Sequence, residues 1–117
     1  MIVINRSKQT TLARQARAAR TFWQRLRGLM FQKALAEGQA LVLVGDSSIH
    51  TFFMRFPIDV LYLDREGRVL RAQDSMRPWQ LGPLVRGCRY IVELPPATIR
   101  RTQTEVGDLI ALSDVEG

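Results

Sequence analysis

A chain of 117 residues, 46% of them hydrophobic and 24% charged, has the size of one domain and is too apolar to be disordered. One cysteine, Cys88, and one histidine, His50, exclude an internal disulfide, a cysteine-clustered zinc or iron–sulfur site and multi-histidine metal centres. Seventeen basic against eleven acidic residues leave a net charge of +6, and every basic residue except Lys8 and Lys33 is an arginine.

No apolar run approaches the ~20 residues of a membrane-spanning helix. Met1-Ile-Val-Ile-Asn-Arg6 is too short an apolar stretch for a signal peptide, so a cytoplasmic location is expected. The basic balance raises the question of polyanions. The arginines are scattered, with one concentration at Arg14, Arg17 and Arg20, followed by Arg25 and Arg27, so nucleic acid is not the favoured partner.

In chain order, Ile2–Ile4 reads as a short strand. Thr10–Arg20 is ambiguous between strand-then-loop and helix, because its alanine–arginine mixture carries no apolar stripe. Thr21–Met30 is the clearest helix. Thr21 and Gln24 form a capping box, and Phe22, Leu26, Leu29 and Met30 lie on one face. Gly28 either ends this helix or lets another backbone pass close.

Strand patterns follow. Leu41–Val44 and Ile49–Arg55 flank the turn cluster Gly45–Ser48 and are expected to pair as a hairpin. Ile58–Leu63 and Arg68–Gln73 flank the turn Asp64–Gly67. Ser75–Gly87 is a long irregular loop. In Cys88–Leu94 the residues Cys88, Tyr90, Val92 and Leu94 alternate with Arg89, Ile91 and Glu93. A short turn or helix at Thr98–Gln103 precedes a last strand at Leu109–Leu112. The expected fold is α+β, residues 1–117 forming one domain: a small antiparallel sheet, a meander curled into a barrel, with one main helix packed against it.

The segment Ile49–Arg55, read as a strand, puts His50, Phe52 and Met54 on one face. His50 is then either a satisfied core histidine or a pocket-wall donor or base. Asp59 either caps a bend through backbone N–H groups, orients His50 or holds a ligand hydroxyl. Glu93, an acid within an apolar strand, either finds an arginine (Arg27, Arg55 or Arg89) or carries a raised pKa. Trp79, beside Pro78 in the long loop, is a recognition residue or a lid. Cys88 with His50 and Asp59 is a conceivable thiol site, although a lone cysteine on a strand is more often inert packing. No nucleophile elbow, metal-ligand spacing or phosphate-cradling glycine loop is present, so no cofactor and no metal are called for.

The order of motifs resembles a bacterial and archaeal family, domain of unknown function 192, also known as uncharacterised protein family 0127. The matching elements are Arg27-Gly-Leu-Met30, Ser48-Ile-His-Thr-Phe-Phe-Met54, Pro57-Ile-Asp59, Leu63-Asp64, Pro78-Trp79, Val92-Glu-Leu94 and Gly107-Asp108. The resemblance runs from about Thr10 to Leu112 and implies a compact β-rich domain with a helix, without a substrate. Two departures stand out: Phe52-Phe53-Met54-Arg55-Phe56 replaces a pattern similar to Phe-Trp-Met-Lys-Asn, and Ala97 stands where glycine is frequent.

The expectation is a non-enzymatic binding module, monomer or weak dimer. Its pocket at one end of the sheet would be lined by His50, Met54, Asp59, Trp79 and Glu93, with Arg27 at the rim, for a small polar ligand or a peptide. The alternatives are a hydrolase or transferase using His50 with Asp59, and weak RNA binding through the arginine-rich face.

Overall fold

A computed structural model describes residues 1–113. Eight strands and two short helices run in the order β1 (Ile2–Asn5), β2 (Thr10–Ala13), β3 (Gln15–Ala19), α1 (Phe22–Arg27), β4 (Gln39–Val44), β5 (Ile58–Leu63), β6 (Val69–Met76), β7 (Tyr90–Leu94), α2 (Thr98–Thr102) and β8 (Ile110–Ser113). The class is α+β, as the patterning indicates. The architecture is not the expected barrel.

Among the described residues there are two open sheets, β2-β1-β8 and β3-β4-β7-β5-β6, and neither curls round to close on itself. The expected meander fails at β4. This strand pairs in parallel with β3 and antiparallel with β7, and not with the segment that follows it. That segment, Ile49–Arg55, is a looped excursion; His50 makes only an isolated bridge to Leu81. The β5–β6 hairpin across Asp64–Gly67 is formed as its turn chemistry dictates. The ambiguous stretch before Arg20 resolves into β2 and β3, because β3 finds an edge on β4.

The five-stranded sheet is covered on both faces, and every residue of β5 is buried. On one face Leu61, Leu63, Val92 and Leu94 pack with Val3 and Leu12 of the smaller sheet and with Ile99 of α2. On the other face Leu41, Leu43, Val60, Tyr62 and Ile91 are covered by Leu29, Ile49, Met54 and Met76, contributed largely by loops. A sheet buried on both sides loses simple apolar–polar alternation, so hairpin partners cannot be read from it.

The main helix is also corrected. The capping box is present: Gln24 N–H donates to Thr21 Oγ1, and Gln24 Oε1 accepts from Thr21 N–H. Yet α1 spans six residues, buries none of them, and stops at Gly28 with φ 47° and ψ −121°. Of the expected stripe Phe22, Leu26, Leu29 and Met30, only Leu29 is fully buried, and it lies beyond the helix end. The helix that does pack on the core is α2, through Thr98, Ile99 and Thr102.

Candidate functional site

Where α1 ends, its last turn and the following Gly28–Met30 lean over the loop-covered face of the larger sheet. The resulting cleft of about 20 Å³ is lined by Arg27, Gly28, His50, Met54 and Glu93, together with Arg25, Leu26, Asp46 and others. Four of the six residues picked from sequence therefore converge: Arg27, His50, Met54 and Glu93. As it stands, the cleft has room for about one water molecule.

Glu93 sits on β7 opposite Leu41 of β4 and Val60 of β5, so its side chain emerges from mid-sheet. It is 2% exposed, and Oε1 is buried with no hydrogen-bond partner among the described residues. No arginine pairs with it. Burial pushes its carboxyl up to about 8, the Asp46 charge adding to the rise and the Arg17 charge opposing it. At neutral pH the group is mostly protonated, and so presents a hydroxyl donor as well as an acceptor.

The roof over Glu93 is held by Arg25. Its Nη1 lies 3.0 Å from Asp46 Oδ1 and donates to Val44 O at 3.3 Å. Gly45 permits this approach, since a Cβ there would stand 2.9 Å from Nη1. Sequence reading missed Arg25 and Asp46. Only the turn cluster after β4 hinted that something must meet that corner.

His50 is half-buried and accepts a hydrogen bond from Phe52 N–H at Nδ1, 3.0 Å. In its neutral form the ring then carries its proton on Nε2. Beyond it runs a chain of rings: His50 stacks on Phe52 at 5.1 Å, Phe52 meets Trp79 at 6.2 Å, Trp79 meets Phe53 at 4.7 Å, and Phe53 meets Phe31 at 5.3 Å. Trp79 is 60% exposed. It stands on this outer rim and does not line the cleft.

Three of these aromatic residues hold left-handed backbone: Phe31 at φ 65°, Phe53 at 65° and Trp79 at 63°. Each such residue costs roughly 1–3 kcal/mol, which the surrounding hydrogen bonds must offset. Phe31 N–H donates to Phe53 O, and Trp79 N–H to Thr51 O. Fully buried Thr51 joins the two loops by donating from Oγ1 to Arg77 O at 2.6 Å and accepting from Gln80 N–H at 2.8 Å.

Asp59 is on the other face. Its Oδ1 accepts from Ser75 N–H at 2.9 Å and its Oδ2 from Ile99 N–H at 2.8 Å, tying β6 and α2 to β5. Burial raises its pKa, and these backbone donors oppose the rise. It neither orients His50 nor enters the cleft, so the His50–Asp59 catalytic pairing is not formed. Cys88 is likewise apart; its Sγ donates to Tyr90 O, and burial pushes the thiol up. Among the described residues no three His, Cys, Asp or Glu side chains cluster to hold a metal ion, and no helix is long and apolar enough to cross a membrane. Arg14, Arg17 and Arg20 line three surface depressions, the first two of which share Gln15.

The sequence model of DUF192, described as an uncharacterized ACR, matches residues 3–112. The chain belongs to the DUF192 family. Among its DUF192 relatives, a UPF0127 protein of Thermococcus kodakarensis is 34% identical over 119 residues, covering 98% of this chain and 75% of the relative. One from Pyrococcus horikoshii is 35% identical over 112 residues, covering 93% and 96%. The fold is also similar to that of a protein of unknown function from Novosphingobium aromaticivorans, with TM-score 0.80, 19% identity, and 95% of this chain and 82% of that one covered. A putative transcription regulator from Sinorhizobium meliloti gives TM-score 0.75 and 18% identity over 94% of this chain and 89% of that one. At such identities these likenesses show the fold alone. DUF192 is a family of unknown function.

Proposed function

We propose that this DUF192 protein is a non-enzymatic binding module whose seat is the cleft beneath Gly28. The observation that carries this reading is the Glu93 carboxyl, buried in mid-sheet with Oε1 lacking a hydrogen-bond partner among the described residues. A buried polar atom left unsatisfied costs about 1–3 kcal/mol, and a ligand that completes its hydrogen bond recovers that cost.

The ligand class that suits the site is a small polar molecule, or the polar side chain of a peptide. Protonated Glu93 and His50 Nε2 supply donors, Arg27 stands at the rim, and Met54 and Leu26 supply apolar walls. The small volume means that a ligand larger than water enters when α1 lifts. The helix suits such a movement because it buries no residue and hangs on the Arg25 contacts. Among the described residues the cleft lining holds no serine, threonine, cysteine or lysine, and its polar groups are arranged as hydrogen-bond donors and acceptors.

A screen of small polar metabolites and short peptides by shift of the melting temperature tests the reading. A hit is expected whose shift disappears in His50→Ala and in Glu93→Leu, which strips both donor and acceptor, while both variants stay folded. A screen without hits, or hits indifferent to both substitutions, overturns it.

A further inference from the structure

Next to the cleft lies a surface that shares the rim residue Arg27 with the binding seat and extends beyond it. Three stretches build it: Arg27–Lys33, Thr51–Phe56 and Arg77–Arg86. Together they contain five basic residues (Arg27, Lys33, Arg55, Arg77 and Arg86) and no acidic one. Among the described residues none of these five has a carboxylate within ion-pair distance; the chain's ion pairs involve Lys8, Arg25, Arg100 and Arg101 instead.

The same stretches expose an unusual load of large apolar side chains. Phe31, Phe53 and Trp79 are each about half exposed or more, and Leu81 and Leu84 more than 70%. Leu81 is the bridge partner of His50, so its side chain leaves the ribbon on the same side as the imidazole. Phe53 and Trp79, on the two loops that Thr51 cross-links, and Phe31, whose N–H donates to Phe53 O, all hold left-handed φ angles at a conformational cost.

We propose that this face is a peripheral docking surface for an anionic lipid bilayer. Exposed Trp, Phe and Leu flanked by unpaired arginines are the composition that enters the boundary of headgroups and acyl chains while the cations meet lipid phosphates. The ring geometry favours this occupant over two others. Bases of a single strand need separated ring faces to stack on, whereas Phe53 packs against both Trp79 and Phe31, with ring centroids 4.7 and 5.3 Å away. A peptide lying along this face needs pockets for its anchor side chains outside the cleft, whereas Phe31, Phe53, Trp79, Leu81 and Leu84 stand out from the face, each 45% exposed or more. A lipid surface requires neither gap nor pocket. The inference does not rest on the cleft being a ligand seat.

The test uses the whole protein in a Trp23→Phe background, so that fluorescence reports Trp79 alone. It is mixed with phosphatidylcholine vesicles, or with the same vesicles carrying phosphatidylglycerol, and sedimented. The expected result is co-sedimentation with the anionic vesicles only, a blue shift of emission, and release by added salt. Arg77→Gln weakens binding about fivefold. Trp79→Asn, whose residue tolerates the left-handed backbone and whose fold is checked by melting, abolishes the association. No co-sedimentation with either vesicle, equal binding by folded Trp79→Asn, or capture of a single-stranded oligonucleotide or an acidic peptide in place of vesicles overturns the proposal.

Discussion

Glu93 Oε1 lies 3.8 Å from the point where a Cβ would stand on Gly28, so the end of α1 and the middle of β7 meet with nothing between them but the cleft. The contact explains the two residues together. Gly28 adopts φ 47°, ψ −121°, a conformation essentially confined to glycine, and this turns the chain over the carboxyl. Gly28→Ala is expected to lower stability by roughly 1–3 kcal/mol, read by denaturant unfolding, and to weaken any cleft ligand.

The Glu93 carboxyl gives the protein a distinctive pH dependence. Its pKa rises on folding from an ordinary value of 4.5 to about 8, so the folded state holds the proton more tightly than the unfolded chain. Its contribution is full below pH 4.5 and declines as pH rises towards 8, where it levels off. Glu93→Gln removes that slope. The variant is therefore expected to gain on the wild type with increasing pH, by on the order of a few kcal/mol at pH 9. Asp59, also raised by burial, adds a slope of the same sign that Glu93→Gln leaves in place. Parallel stability–pH curves for the two proteins contradict the assignment.

Thr51 is the clasp of the aromatic rim. Thr51→Val keeps the shape but leaves Arg77 O without the Thr51 donor and Gln80 N–H without the Thr51 acceptor. A loss of about 2–3 kcal/mol is expected, with faster amide exchange confined to the two loops it joins.

Asp59 and Ala97 test the opposite face. Asp59→Ala strips the acceptor from Ser75 N–H and Ile99 N–H and is expected to cost about 3 kcal/mol while leaving cleft binding intact in the folded fraction. Ala97 precedes α2 in left-handed backbone, φ 74°, so alanine holds a turn that glycine would enter without strain. Ala97→Gly is expected to stabilise by about 0.5–1 kcal/mol, the relief of left-handed strain exceeding the added chain entropy. Chemical denaturation measures both.

Much of the local structure was legible. The Thr21–Gln24 capping box and the Asp64–Gly67 hairpin turn follow from short-range chemistry and are present. The Cys88–Leu94 alternation holds from Tyr90 to Leu94, whereas Cys88 precedes the strand and packs with the cluster of Ile91, opposite to Tyr90, Val92 and Leu94. Topology was not legible. The parallel β3–β4 pair and the insertion of β7 between β4 and β5 are long-range choices, and strands buried on both faces leave no alternation to betray their neighbours. The site was half legible for a related reason. His50, Met54 and Glu93 looked out of place in apolar segments and do meet. Asp59 looked equally out of place, yet its oddity is spent on two backbone N–H groups, and no sequence signal distinguishes that local use from a shared cavity.

Native mass spectrometry of freshly purified wild type and Glu93→Leu, prepared side by side, bears most directly on whether the space beneath Gly28 is a ligand seat. The account predicts that the wild type retains a small polar molecule and that the variant, folded and otherwise identical, has lost it. Bare protein of the same mass as the sequence in both spectra, with none of a panel of polar compounds retained after addition, would contradict it.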